Sequence, residues 1–270
     1  MVDTQEGTAH ARDGCTLSFR LTGSNPGRVA LVHSLAMDKS FWDFVVAELA
    51  TTASVLTYDC RGHGASSKPV DRYTIGQFAD DLADVMDCVN WPSAVVGGAS
   101  MGGAVALGFA AQYPRRIEGL ALIDTTAWYG ANAQKTWAER AEVGLRHGLE
   151  GLVDFQTTRW FTDKFREQNP EIVKRSVGVF LSNERQAYAE TCRMLGDFDL
   201  RPALPNIACP TAVIVGREDY ATPVAMAELL HQGIAGSSLT IVEDGRHLTP
   251  LEHPQRIAGE IRRMTEGTVQ

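Results

Sequence analysis

Cysteine is scarce and shows no pairing pattern: Cys15, Cys60, Cys88, Cys192 and Cys209 are odd in number and scattered, with no two close together. Such spacing offers neither a zinc knuckle nor a cycling dithiol, and leaves free, mostly buried thiols as the expectation. Positive charge is also in deficit. With 25 Lys and Arg against 33 Asp and Glu, the formal net charge is −8, so no broad basic field exists to hold nucleic acid or an anionic membrane. Nor is there an unbroken apolar run of membrane-spanning length, because the longest charge-free stretch, Cys88 to Pro114, is interrupted by Pro92, Ser93, Ser100 and five glycines. Met1 to Cys15 carries acids and polar residues without the apolar core of a signal peptide. Internal repeats and low-complexity segments are lacking too. These absences point to a cytoplasmic protein, monomer or homodimer, whose partner is a small molecule.

What is present is an alternation of strand and helix periods. The 270 residues, 44% of them hydrophobic, suffice for one large core. Thr16 to Leu21, Val29 to His33 and Ser54 to Tyr58 read as strands, with a helix over Phe41 to Ala50 between the last two. Thr74 is placed to cap a helix whose Ile75, Phe78, Ala79, Leu82, Val85, Met86 and Val89 fall on one face. Ala94 to Gly98 and Ile117 to Ile123 read as buried strands on either side of a small-residue helix over Met101 to Gln112. From about Thr126 to Leu200 the patterns are helical only. Then Thr211 to Val215, Val224 to His231, Leu239 to Val242 and a closing helix from Pro254 resume the alternation. The order predicts an α/β protein with a mostly parallel, doubly wound sheet. The helical interval predicts an inserted cap, residues 126–200, over the carboxyl ends of the strands, with the core divided into residues 1–125 and 201–270.

Gly98-Ala99-Ser100-Met101-Gly102 matches G-x-S-x-G, a pattern that about one chain in ten of this size would carry by chance. Its context is more specific. The segment stands between a predicted strand and a predicted helix, as the nucleophile elbow of the α/β-hydrolase fold does. That turn brings strand and helix so close that its flanking positions must be small, and Gly98, Gly102 and Gly103 supply them. A phosphate-binding turn is the competing reading, but neither the P-loop nor the dinucleotide-binding glycine spacing is present. Ser100 is therefore the candidate nucleophile.

A serine hydroxyl attacks only when a neighbouring base takes its proton, and in this fold the chain order is Ser, acid, His. His33 and His63 precede Ser100, His10 precedes the first predicted strand, His147 and His231 lie in helical patterns, and His253 adjoins Pro254. His247, in the loop Glu243 to His247 after the last strand, is the candidate base. Asp219, in Gly216-Arg217-Glu218-Asp219 after the strand Thr211 to Val215, is the candidate acid, with Glu218 and Asp124 as rivals. Two N–H donors must meet the developing oxyanion. They are expected from Met101, after the nucleophile, and from Leu35 in His33-Ser34-Leu35-Ala36. This chemistry requires no metal and no organic cofactor.

On these segments the chain resembles the 3-oxoadipate enol-lactonases of the α/β-hydrolase superfamily over most of its length. His33 to Asp38 with Trp42 is similar to the family's Asn-Ser-Leu-Gly segment and following tryptophan, and Tyr58 to Ser66, Gly98 to Gly103 and Asp124 to Ala127 continue the likeness. In the helical interval, Arg159-Trp160-Phe161-Thr162, Tyr188 to Cys192 and Asp197 to Arg201 look like the lactonase cap. His33 and Ala36 stand where the family usually has asparagine and glycine, and His33 is what general esterases of the superfamily carry there. The resemblance implies ring opening of a small carboxylate-bearing enol-lactone through an acyl-enzyme. It also implies substrate contacts at His33, Trp42, Arg159 and Trp160, with Arg159 pairing the carboxylate and Arg140 and Arg193 as substitutes. A carboxylesterase, another lactonase or a carbon–carbon bond hydrolase would use the same three residues. A non-catalytic sensor on the same fold is the remote alternative.

Overall fold

Val29 to Val32 and Ala94 to Ala99 carry apolar or glycine residues at every position, and all are buried. Strands of that kind are stable only where helices cover both faces of a sheet. The computed structural model, which describes residues 3–266, places them at the centre of one eight-stranded sheet. The first half of the chain runs β1 (Thr4–His10), β2 (Thr16–Thr22), β3 (Gly27–Val32), α1 (Asp43–Leu49), β4 (Ala53–Tyr58), α2 (Ile75–Cys88), β5 (Ala94–Ala99), α3 (Met101–Gln112) and β6 (Ile117–Ile123). Five helices follow: α4 (Ala133–His147), α5 (Val153–Trp160), α6 (Asp163–Gln168), α7 (Pro170–Leu181) and α8 (Arg185–Asp197). The chain then returns to the sheet through β7 (Thr211–Gly216), α9 (Val224–Gly233), β8 (Ser238–Val242), α10 (Thr249–Glu252) and α11 (Pro254–Glu266).

Across the sheet the order is β1-β2-β4-β3-β5-β6-β7-β8. β1 pairs antiparallel with β2 and β2 with β4, and every other neighbouring pair is parallel. The order reverses at β3, which lies between β4 and β5. The loops leaving the carboxyl ends of β3 and β5 therefore diverge and open a crevice, where sheets of this type bind ligands.

β1 is absent from the sequence reading because its residues are polar and mostly exposed, as suits an edge strand. It is held by seven consecutive pairings with β2. Gly7 makes room there for the Phe19 ring, which a β-carbon would meet at 2.4 Å. The predicted helix over Phe41 to Ala50 begins instead as a 3₁₀ turn, Lys39–Trp42, because Asp38 accepts a hydrogen bond from Ser40 N at 2.9 Å and starts the turn early. α3 is buried from Met101 to Ala110, which explains its lack of a polar face. Between Ile123 and Thr211 no strand occurs among the described residues. The helices of this insertion are joined by aromatic edges, Trp160 on Phe180 at 5.5 Å and Phe180 on Tyr188 at 5.9 Å. Among the described residues no helix is long and apolar enough to cross a membrane. The cysteines are unpaired, with Cys88 exposed and Cys209 half-buried.

α2 begins with a reciprocal cap. Gln77 N donates to Thr74 Oγ1 at 3.2 Å, and Thr74 N donates to Gln77 Oε1 at 2.9 Å. Thr74→Ala removes an acceptor from the first turn and should cost about 1 kcal/mol in urea unfolding, with the m-value unchanged. No measurable loss would show that α2 is held by packing alone.

Candidate functional site

Ser100 stands at the turn from β5 into α3 with φ 54° and ψ −116°. The turn tolerates no side chain beside it: a β-carbon on Gly98 would lie 2.0 Å from Gly102 O, and one on Gly102 would lie 2.0 Å from Val32 O. Two hydrogen bonds to the β6 side fix the serine, from Ser100 N to Ile123 O at 2.9 Å and from Thr125 Oγ1 to Ser100 O at 2.6 Å.

Asp219 is immobilised by its own turn. Its Oδ1 accepts from Ala221 N at 2.7 Å and Thr222 N at 2.8 Å, and its Oδ2 accepts from Thr222 Oγ1 at 2.8 Å. The same Oδ2 meets His247 Nδ1 at 2.8 Å. A carboxylate only accepts, so Nδ1 carries the hydrogen and Nε2 is left as an acceptor. Nε2 lies 2.9 Å from Ser100 Oγ. The rival acids point elsewhere. Glu218 is bound to Arg246 at 2.6 Å. Asp124 accepts from Gly216 N at 3.0 Å, from Thr249 N at 3.0 Å and from Thr249 Oγ1 at 2.7 Å. It ties the strand leading to Asp219 to the residues after His247 without touching the imidazole. Burial and the nearby Asp219 charge push its carboxyl upward, while the three donors favour the ionised form.

Above Ser100 and His247 lies a cavity of about 660 Å³. Ser34 and Leu35 share its floor, and α4 and α5 form its roof. Five aromatic residues, Tyr129, Trp137, Phe155, Trp160 and Tyr220, stand in its walls, together with the polar Asn132, Thr136, Glu139 and Gln156. Burial pushes the Tyr129 phenol up, and its side chain lines the cavity together with Ser100. Two arginines reach the cavity. Arg140 donates through Nε to Tyr188 Oη at 2.8 Å and lies over the Trp137 ring at 4.8 Å, and Arg159 lies over Phe155 at 4.3 Å. Among the described residues neither is ion-paired to a carboxylate.

A family model described as alpha/beta hydrolase fold matches residues 27–254. The 3-oxoadipate enol-lactonase 2 of Acinetobacter baylyi is 35% identical over 230 residues, 84% of this chain and 85% of that protein. The chain belongs to the 3-oxoadipate enol-lactonase family of α/β-hydrolases. The crystal structure of the enol-lactonase from Burkholderia xenovorans superposes on this hydrolase with a TM-score of 0.92 at 33% identity, covering 96% of this chain and 100% of that one. A thermophilic esterase from Thermogutta terrifontis, solved with malate bound, gives a TM-score of 0.92 at 29% identity over 98% of this chain and 100% of that one.

Of the residues expected at the site, Ser100, His247, Leu35, Arg159 and Trp160 line the cavity, Asp219 stands behind the histidine, and Met101 opens α3 beneath it. Three expectations are corrected. Trp42 is fully buried in the core against Phe41, away from the cavity. Arg193 is held by Glu142 and Glu190. His33 is also fully buried and makes no cavity wall, because both ring nitrogens are engaged: Nε2 accepts from Cys60 N at 3.0 Å, which leaves Nδ1 to donate to Ser34 O at 2.8 Å. Sequence reasoning missed Tyr129, Trp137 and Tyr220, which lie in loops and on an insertion helix without any motif, and Arg246, whose one signal is its place beside His247.

His33 and His63 lie 5.1 Å apart between ring centroids, both fully enclosed. Burial lowers His33 and takes His63 down to about 3. A histidine held neutral in the fold but free to protonate when unfolded makes the unfolded state bind more protons. Its stabilising contribution is present near neutrality and is lost as pH falls below about 6.5. Urea unfolding should show stability falling between roughly pH 7 and pH 5.5, His63 accounting for about 1 kcal/mol of the loss, and the loss should shrink in His63→Gln. Equal stability at the two pH values would contradict the burial of neutral rings.

Proposed function

We propose that this hydrolase opens a small enol-lactone bearing a carboxylate, by way of an acyl-enzyme on Ser100. The observation that carries the reading is the unbroken line from Ser100 Oγ through His247 to Asp219, with contacts of 2.9 and 2.8 Å, at the floor of a roofed cavity. Ser100 Oγ attacks the ring carbonyl as His247 Nε2 takes its proton, and Asp219 stabilises the imidazolium. The oxyanion meets two backbone donors. Met101 is the first residue of α3, so its N–H has no helical acceptor and lies at the positive end of the helix. Ser34 O is engaged by His33 Nδ1 and, at 3.1 Å, by Met37 N, which turns the Leu35 N–H of the same peptide plane to the opposite side. In this reading His33 shapes the oxyanion loop instead of touching substrate.

Cleavage of the ring C–O bond leaves an acyl-enzyme and an enol that His247 protonates on oxygen. The enol stays tethered, but ketonisation removes its nucleophilic oxygen, so the ring cannot re-close. Water then gives its proton to His247 and its oxygen to the acyl carbon, and Ser100 recovers its proton as the oxo acid leaves. An anionic substrate needs a local cation in a protein of net charge −8. The unpaired guanidinium groups of Arg140 and Arg159 supply it in the form best suited to a carboxylate. Identity of 35% to an enol-lactonase supports the lactone, and the malate bound to the esterase relative supports an acidic ligand.

Ser100→Ala and His247→Ala should each lower lactone turnover by about a thousandfold or more while circular dichroism stays unchanged. Retention of a tenth of wild-type activity would remove either residue from its role. Asp219→Asn should lower kcat far more than Asp124→Asn, whose main effect should be on stability, since the amide sets a donor against one of three backbone and side-chain donors. The opposite ranking would make Asp124 the acid. For the substrate carboxylate, kcat/KM is compared on an acidic and a neutral lactone of similar size. Arg140→Met or Arg159→Met should lose about tenfold or more on the acid alone. Arg140 should show the larger loss, because Tyr188 already fixes its guanidinium. Equal losses on both lactones in both variants would exclude a carboxylate site on these arginines.

A further inference from the structure

The last carbonyls of a helix have no partner within it, and at the end of α5 the loop carrying His247 provides the donors. Arg246 Nη1 donates to Thr158 O and Phe161 O, each at 2.8 Å, and to Asp163 Oδ1 at 3.1 Å. His247 N and Leu248 N both donate to Trp160 O, at 3.2 and 3.0 Å. Glu252 returns the tie: Oε1 accepts from Thr162 N at 2.7 Å and Thr162 Oγ1 at 2.9 Å, and Oε2 accepts from Arg246 N at 2.6 Å. The other arm of the Arg246 guanidinium, Nη2, reaches Glu218 at 2.6 Å, the residue before Asp219. The Arg246 side chain is only 7% exposed. On its other face α5 presents Gln156, Arg159 and Trp160 to the cavity.

We infer that Arg246 is a positioning residue, which makes the alignment of His247 with Ser100 depend on how α5 is seated. The inference rests on the reading of Ser100 and His247 as nucleophile and base. The imidazole is held at its tip by Asp219, but its backbone hangs from Trp160 O, so a shift of the α5 end moves the ring away from Ser100. A ligand that presses on Arg159 or Trp160 acts on the helix end that orients the base. Arginine suits the position because its planar fork serves acceptors on two sides, the α5 carbonyls and Glu218, which a single ammonium nitrogen cannot span. A misplacement of this kind lowers the rate of attack more than it lowers binding.

The test uses the full chain with Arg246→Met, Arg246→Lys and Glu252→Gln. Two quantities are read: kcat and KM for lactone hydrolysis, and the rate at which paraoxon phosphorylates Ser100 with release of p-nitrophenolate. Paraoxon is a neutral phosphotriester and needs no carboxylate contact with the roof. In Arg246→Met, kcat and the phosphorylation rate should both fall about tenfold or more, with KM within about threefold of wild type, and Arg246→Lys should recover part of the loss. A folded Arg246→Met with both rates near wild type would overturn the inference, as would a raised KM at unchanged kcat. If Arg246→Met does not fold, Glu252→Gln decides in the same way, by a parallel fall in both rates or by none. Wild-type enzyme that paraoxon leaves unmodified at Ser100 would overturn the nucleophile reading itself, and this inference with it.

Discussion

A serine at φ 54° and ψ −116° sits in backbone space that an L-residue enters at a cost of about 1–3 kcal/mol. Ser100 is kept there because β5, α3 and the end of β3 approach closely enough that Gly98 and Gly102 have no room for a β-carbon. That contact sets the rest of the site. It projects the Ser100 hydroxyl out of the sheet, leaves the first N–H of α3 unpaired beneath it, and brings the Ser34-Leu35 peptide alongside. A second close approach works in the same way at the other strand ends. A β-carbon on Gly216 would lie 2.0 Å from Arg246 O, so the segment leading to Asp219 and the loop carrying His247 touch backbone to backbone.

Around these two contacts the buried polar groups act as ties between loops. Asp124 joins Gly216 to Thr249, Glu252 joins Thr162 to Arg246, and His33 joins Ser34 to Cys60. Asp124 and His33 are fully buried and Glu252 partly so, and each is bonded on two sides, which is where a polar side chain adds rigidity instead of a desolvation penalty. The residues that line the cavity are different in kind. They include five aromatic residues and two arginines without carboxylate partners, on the helices and loops around the cavity.

The sheet was legible in the sequence because its central strands are apolar at every position and its helices keep a regular period. β1 was not, since an edge strand of polar residues gains its stability from pairing with β2 and from the Phe19 ring over Gly7, contacts between distant positions in register. Ser100 and His247 could be proposed from the sequence because the fold restricts a nucleophile and its base each to one kind of turn. Asp219 could be ranked over Glu218 but not separated by chemistry; in the structure Asp219 meets the imidazole and Glu218 meets Arg246. His33 and Trp42 were expected as substrate contacts on the resemblance to the enol-lactonases, yet their side chains turn into the core. Arg246 left no signal beyond its place next to His247, because its ties to α5 go to the carbonyl oxygens of Thr158 and Phe161, to which any residue type contributes equally.

The chemistry proposed here depends on a covalent intermediate at Ser100, and rapid-quench mass spectrometry of the enzyme during lactone or aryl-ester turnover tests that directly. An acyl adduct on the peptide containing Ser100 should form before product, decay at the rate of turnover, and be missing from Ser100→Ala. Product released at the full rate while that peptide stays unmodified at every quench time would contradict the account, and would mean that water, not Ser100, attacks the carbonyl.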